Sequence, residues 1–179
     1  MNSNYKVLIF GGNGVGKSCF INRLKTGEFS PNLENSPVKL TFNTNYGVIN
    51  FDCFEENKNT SEAENVDAII YLFAVTQKKT FRDLIDDYDN FFVNLNKPVV
   101  YCGNKCDAEF RKDRLLSIKG WFYNGNKDYC QLSAKYNNNI ERPFLLLARK
   151  LMNQCTLRII ESPPITPVEV VEYRTDTIN

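Results

Sequence analysis

Hydrophobic and polar positions divide the chain into short apolar runs separated by stretches of helical spacing. The run Val7-Leu8-Ile9-Phe10 closes a strand expected over 5–10. The continuous apolar run at 68–75 has the composition of a central strand, 98–102 has the pattern of a buried strand, and a short strand is expected at 129–132. Residues 40–45 and 48–54 instead alternate apolar with polar around Tyr46-Gly47, which predicts a hairpin at a sheet edge. Between these runs the period changes. Phe20, Ile21 and Leu24 share one face of a helix over 17–26, which Gly27 ends. Phe81, Leu84, Ile85, Tyr88, Phe91 and Phe92 recur at helical spacing, and further helices are expected over 113–122 and 140–152, with a loop at 33–37. Strands alternating with helices predict an α/β fold. It is a mostly parallel, doubly wound six-stranded sheet with helices on both faces and one antiparallel edge hairpin. Its ligand belongs at the carboxyl ends of the strands.

Composition narrows the function classes. At 179 residues the chain is long enough for one domain with a substantial core. A boundary is drawn after residue 155, leaving 156–179 as a proline-containing tail, which from Ser162 onward is either a loose end or an arm packed back across the domain. A net charge of +1 gives no bulk attraction to nucleic acid or an anionic membrane, so neither is expected as a partner. No 18-residue apolar run occurs, and Met1-Asn2-Ser3-Asn4 has no charged and apolar leader. The chain has six scattered cysteines, no C-x-x-C and no histidine, which argues against zinc and for reduced thiols in the cytoplasm or nucleus. The ending Asp176-Thr177-Ile178-Asn179 lacks a cysteine box for prenylation, and a monomer without a lipid anchor is expected.

The chemistry lies where strands end. Gly11-Gly12-Asn13-Gly14-Val15-Gly16-Lys17-Ser18 fits G-x-x-x-x-G-K-[ST] between the first strand and the first helix. Glycines let successive backbone N–H groups converge on an anion, and the helix N-terminus adds its dipole. Gly12 through Cys19 (Asn13, Gly14, Val15, Gly16, Lys17 and Ser18 between them) therefore form the candidate phosphate site. Lys17 bridges the outer phosphates, and Ser18 holds Mg²⁺ through its hydroxyl. Asn104-Lys105-Cys106-Asp107 follows the strand at 98–102. The Asp107 carboxylate can accept from guanine N1–H and N2–H. Adenine has no donors there and would leave it unpaired, a loss that discriminates by a factor on the order of 10⁴. Asn104 and the stem of Lys105 are placed to tie this loop to the phosphate loop. Ser133-Ala134-Lys135 follows the strand at 129–132 and offers backbone N–H groups to guanine O6. Each tripeptide alone is ordinary loop sequence; the three together, in order and at strand ends, specify a guanine nucleotide.

With these segments the chain resembles the Ras superfamily of small GTPases, and within it the Ran branch, the nuclear-transport GTPases. The closer likeness lies in Thr26-Gly27-Glu28-Phe29, Thr44-Asn45-Tyr46-Gly47, Cys102-Gly103-Asn104-Lys105, Ser133-Ala134-Lys135 and Arg142-Pro143-Phe144-Leu145-Leu146-Leu147-Ala148-Arg149-Lys150-Leu151. The tail Ser162-Pro163-Pro164-Ile165-Thr166-Pro167 is similar as well. The resemblance implies the P-loop small-GTPase fold, GTP or GDP with Mg²⁺, partners of the transport-receptor or exchange-factor type, and residence in cytoplasm and nucleus.

The likeness fails in the two segments that sense the γ-phosphate. The family places an Asp-x-x-Gly-Gln segment after the third strand, where this chain has Phe54-Glu55-Glu56-Asn57-Lys58-Asn59. No glycine occurs between Gly47 and Gly103, and the first glutamine after the hairpin is Gln77. The water-positioning glutamine is therefore missing, while Glu55 is left as the carboxylate able to support Mg²⁺. Residues 59–67 are also too few for the usual second-switch helix. For the Mg²⁺-binding threonine of the first switch the nearest candidate is Ser36, beside Pro37 in a shortened loop. Asn13 stands where the Ran branch has glycine and would crowd a catalytic water. Slow or absent hydrolysis is expected, and no catalytic residue is assigned. A non-switching interaction module that keeps the fold as a scaffold is the alternative. Trp121-Phe122-Tyr123-Asn124-Gly125 reads either as a contact surface or as core plus a turn.

Overall fold

Side chains along the first strand point alternately to two different cores, and the rest of the architecture follows from that division. The structure is a computed structural model that describes residues 2–32, 37–56, 61–109 and 112–160. Strands β1 (Asn2–Phe10), β2 (Val38–Thr44), β3 (Gly47–Glu56), β4 (Ala68–Ala74), β5 (Val99–Asn104) and β6 (Asp128–Gln131) form one sheet in the order β2-β3-β1-β4-β5-β6. All neighbours are parallel except the β2–β3 hairpin, which lies at one edge. Helices α1 (Lys17–Thr26), α2 (Lys78–Asn90), α3 (Lys112–Asn124) and α4 (Arg142–Leu151) complete the fold, with 3₁₀ turns at Ser61–Asn65 and Phe92–Asn94.

Val7 and Ile9 face the core under α1 and α4, with Phe42, Phe51, Ile70 and Leu72; Leu8 and Phe10 face the other, with Tyr71, Phe73, Leu84 and Phe122. Central strands buried on both faces must be apolar throughout, which is why β4 is seven consecutive buried residues. Phe144 of α4 sits among Phe20, Phe42 and Phe51, with ring centroids 5.9, 5.3 and 5.2 Å away, and so joins a helix, the edge hairpin and α4 in one aromatic cluster. The segment around Trp121 is core and turn. Phe122 stacks on Tyr129 at 4.2 Å, and Lys127 Nζ lies 4.1 Å from the Trp121 ring centroid, while Tyr123 is the aromatic of the three that faces outward, 87 % exposed.

Element ends differ from expectation for local reasons. The first strand starts at Asn2, not Tyr5, because Asn2, Ser3 and Asn4 pair with Val48, Ile49 and Asn50 although none is apolar. The last helix starts at Arg142, and Pro143 occupies its first turn, where a missing N–H costs nothing. Among the described residues, the span after β3 forms the short Ser61–Asn65 turn.

The boundary after residue 155 falls inside the folded body. Leu157 is fully buried and Arg149 Nε donates to its carbonyl at 2.9 Å. Ile160 N–H then donates to Asn43 O at 2.8 Å, and Arg158 N–H to Asn45 Oδ1 at 2.8 Å, so 158–160 lie along the end of the edge hairpin. Residues 156–160 thus pack against the domain; the tail from Ser162, which reads as a loose end or an arm, lies outside the described residues.

Leu157→Ala should therefore lower the unfolding free energy by about 2–5 kcal/mol, the range for a large-to-small change in a core. Urea unfolding of the full chain checks this; a change below 0.5 kcal/mol, the size seen at surface positions, would show that the segment is not part of the core.

Candidate functional site

β1 delivers a buried Phe10 to a turn that only glycine can make. At Gly11, φ is +143° and an added Cβ would lie 2.1 Å from Leu72 O. At Gly16, immediately before α1, φ is +97° and a Cβ would lie 2.6 Å from Asn104 Nδ2. The helix begins without a side-chain cap and without an acidic residue in its first turn, so its N-terminal N–H groups face the loop. Lys17 folds back over the turn, donating from Nζ to Gly11 O at 2.8 Å and Gly12 O at 3.1 Å. Burial lowers its pKa, while the charges of Glu55 and Glu56 raise it. The ammonium thus sits at the floor of an anion cradle, close to carboxylates.

The second loop is fastened to the first by one buried amide. Asn104, the last residue of β5, is 2 % exposed. Its Nδ2 donates to Val15 O at 2.9 Å, and its Oδ1 accepts from Lys105 N–H at 2.8 Å and Ala134 N–H at 3.2 Å. Lys105 takes a left-handed φ of 64°, and its Nζ donates to Gly14 O at 2.6 Å, laying the side chain across the phosphate loop. Ser133 Oγ donates to Asp107 Oδ1 at 2.6 Å, which fixes that carboxylate beside the third loop.

Between these loops lies a cleft of about 590 Å³, within the range of small-molecule sites. Asn13, Gly14, Gly16, Lys17, Ser18, Cys19, Asn104, Lys105, Asp107, Ala134 and Lys135 line it, so the structure gathers eleven of the fourteen predicted nucleotide residues on one surface. Of the others, Val15 is buried beneath the loop and presents its carbonyl to Asn104, Ser133 acts behind Asp107, and Gly12 accepts from Lys17. Phe29, Pro31, Glu55, Thr76 and Ala108 line it as well. The sequence pattern does not mark Phe29 or Pro31 as site residues, since neither belongs to a strand, a helix or one of the three motifs.

The donor set fits a hard divalent cation. Ser18 Oγ donates to Glu55 Oε2 at 3.0 Å, and Glu55 Oε1 is buried without a hydrogen-bond partner among the described residues. A hydroxyl, a carboxylate with a spare oxygen and phosphate oxygens are the ligand types Mg²⁺ takes, keeping several waters. The register of β3 sets this pair, because Ile9↔Glu55 and Phe10↔Glu56 put Glu55 beside the end of β1. Ser36, the other candidate metal ligand, lies outside the described residues, as do 57–60.

A second residue outside the motifs is Arg23, whose guanidinium reaches Ala134 O, Lys135 O and Gly27 O. From sequence it is a basic residue in the last turn of a helix, which reads as a dipole complement.

A family model described as Ras family matches residues 6–153, most of the chain and all three loops.

Asn104→Ala should cost about 3 kcal/mol in nucleotide-free protein, because it leaves buried groups on Val15 and Ala134 unpaired. The urea midpoint with an unchanged m-value measures this; a shift worth less than about 0.5 kcal/mol would mean that the amide does not join the loops.

Proposed function

Because the chain belongs to the Ras family of GTP-binding small GTPases, we propose that it is a guanine-nucleotide-binding protein of the Ran type whose own hydrolysis is slow or absent. One observation carries the base assignment: Asp107 is held by Ser133 at the mouth of the cleft that Lys17 floors, and Asn104 couples the two ends. A carboxylate fixed there pairs with N1–H and N2–H of guanine and has nothing to pair with on adenine. The diphosphate lies over the α1 N-terminus and Lys17. Ser18 and Glu55 would hold Mg²⁺, which neutralises charge on the phosphates.

The hydrolytic reading rests on side chains. Water attack on the γ-phosphate needs a group that orients the water. Glutamine is missing from the span between the hairpin and Gln77, and Gln77 sits at the start of α2. Asn13, exposed on the phosphate loop, lines the cleft where a glycine would leave room. Retention of guanine and phosphate contacts beside loss of the water-positioning residue fits a protein held for long periods in one nucleotide state. Its proposed partners are of the transport-receptor or exchange-factor type, and its proposed residence is cytoplasm and nucleus; both rest on the resemblance to the Ran branch.

A second reading, a module that does not switch, is favoured by the anchoring of residues 61–67. Lys97 Nζ donates to Ala63 O at 3.2 Å, to Val66 O at 2.6 Å and to Glu64 O. Lys6 and Asp67 exchange bonds of 2.7 and 2.9 Å. Ala63 and Val66 are buried against the sheet. Residues 61–67 are thereby fastened to the body.

Displacement of a fluorescent GDP tests the binding reading. GDP and GTP should compete and ATP should not, Lys17→Ala should abolish binding, and Asp107→Asn should reduce the preference for guanine about 100-fold or more. ATP competing as well as GDP would remove the guanine assignment. Under single turnover, hydrolysis of bound GTP should be slower than roughly 3 × 10⁻⁴ s⁻¹, an ordinary unassisted rate. The two readings part on unfolding free energy: bound nucleotide at 100 times its Kd adds about 2.7 kcal/mol, whereas the non-switching module has the same stability in GDP, in GTP and in a chelator.

A further inference from the structure

We propose that Arg23, on α1 and outside the cleft, is a positioning residue that aims both base-reading groups, an inference that rests on the guanine-nucleotide reading. Its Nε donates to Ala134 O at 3.1 Å and its Nη2 to Lys135 O at 2.5 Å, while Nη1 donates to Gly27 O at the end of its own helix. In a planar trans peptide the C=O and the following N–H point in opposite directions. Holding Ala134 O against α1 therefore turns the Lys135 N–H away from α1, toward the side on which Ala134 and Lys135 line the cleft. That N–H is the donor offered to guanine O6.

The second bond acts on the next peptide. Holding Lys135 O orients the Tyr136 N–H, which donates to Ser133 Oγ at 3.1 Å. Ser133 Oγ in turn donates to Asp107 Oδ1 at 2.6 Å. One guanidinium thus sets, through two successive peptides, the donor for O6 and the carboxylate for N1–H and N2–H. The task needs a planar fork with donors aimed at two carbonyls; a lysine ammonium is a single point on a flexible stem and does not reproduce it. Arg23 is only half-buried, so these bonds do not compensate a buried charge.

The test measures dissociation constants for GDP, inosine diphosphate and 6-thio-GDP on the wild type, Arg23→Ala and Arg23→Lys. Inosine diphosphate lacks the 2-amino group, and 6-thio-GDP carries sulfur in place of O6. In the wild type GDP binds tighter than either analogue. In Arg23→Ala both preference ratios fall about tenfold, the loss of one well-made hydrogen bond, and Arg23→Lys recovers only part of either ratio. Urea unfolding of the nucleotide-free variants confirms that each is folded. If Arg23→Ala weakens all three ligands equally, or changes none, the residue is only structural and the proposal is wrong. If the wild type binds none of the three, the guanine reading itself fails and takes the proposal with it.

Discussion

A single carboxamide, buried at the end of β5, holds the ligand site together. Asn104 donates to the phosphate loop through Val15 O and accepts from Lys105 and Ala134 on the two base loops. Three segments far apart in sequence are brought to one place by the sheet, but parallel strands alone would leave their loops independent. The amide makes them one object. Gly16 follows from it: with Asn104 Nδ2 2.6 Å from where a Cβ would stand, the residue before α1 cannot carry a side chain. The glycine spacing of the phosphate motif is thus partly a requirement of its neighbour.

The same arrangement explains how much of the site was legible beforehand. Motifs confined to one strand end announce themselves, because their residue types and spacing follow from local backbone geometry. Lys17, Ser18, Asp107 and Lys135 were readable in that way, and so was the alternation that marks the hairpin. Arg23 was not, since its partners lie 111 and 112 residues away and nothing in the pattern of α1 distinguishes it from a surface cation. Glu55 was visible as a carboxylate but not as a partner of Ser18, because their contact depends on the β1–β3 register. The start of β1 was missed for the opposite reason: Asn2-Ser3-Asn4 carries no apolar signal, and only the partner strand makes it a strand. Full burial of Leu157 is not legible either, because the isolated apolar residues of 155–160 follow neither a helical nor a strand period.

Two parts of the cleft differ in how they are supported. The base end is cross-braced by Asn104, Ser133, Lys105 and Arg23, and the diphosphate end by glycine geometry and a helix terminus. Toward the γ-phosphate the described supports are the Ser18–Glu55 pair and the exposed Asn13. Downstream, Lys97 and Asp67 bind the chain to the sheet rather than to the cleft. The bonds that brace the cleft and those that fasten residues 61–67 to the sheet are thus different sets.

The return of residues 156–160 to the β2–β3 hairpin bears on how the molecule is made. Arg158 and Asn45 are 113 positions apart, and their contact closes a long circuit between the edge hairpin and the end of the described chain. During synthesis the hairpin leaves the ribosome early, yet its outer end stays uncovered until almost the entire domain has been translated. Closure of so long a circuit comes at high entropic cost and late in folding. A nascent chain arrested before Leu157 would present the hairpin without its cover, at the stage when folding chains are most prone to associate with one another.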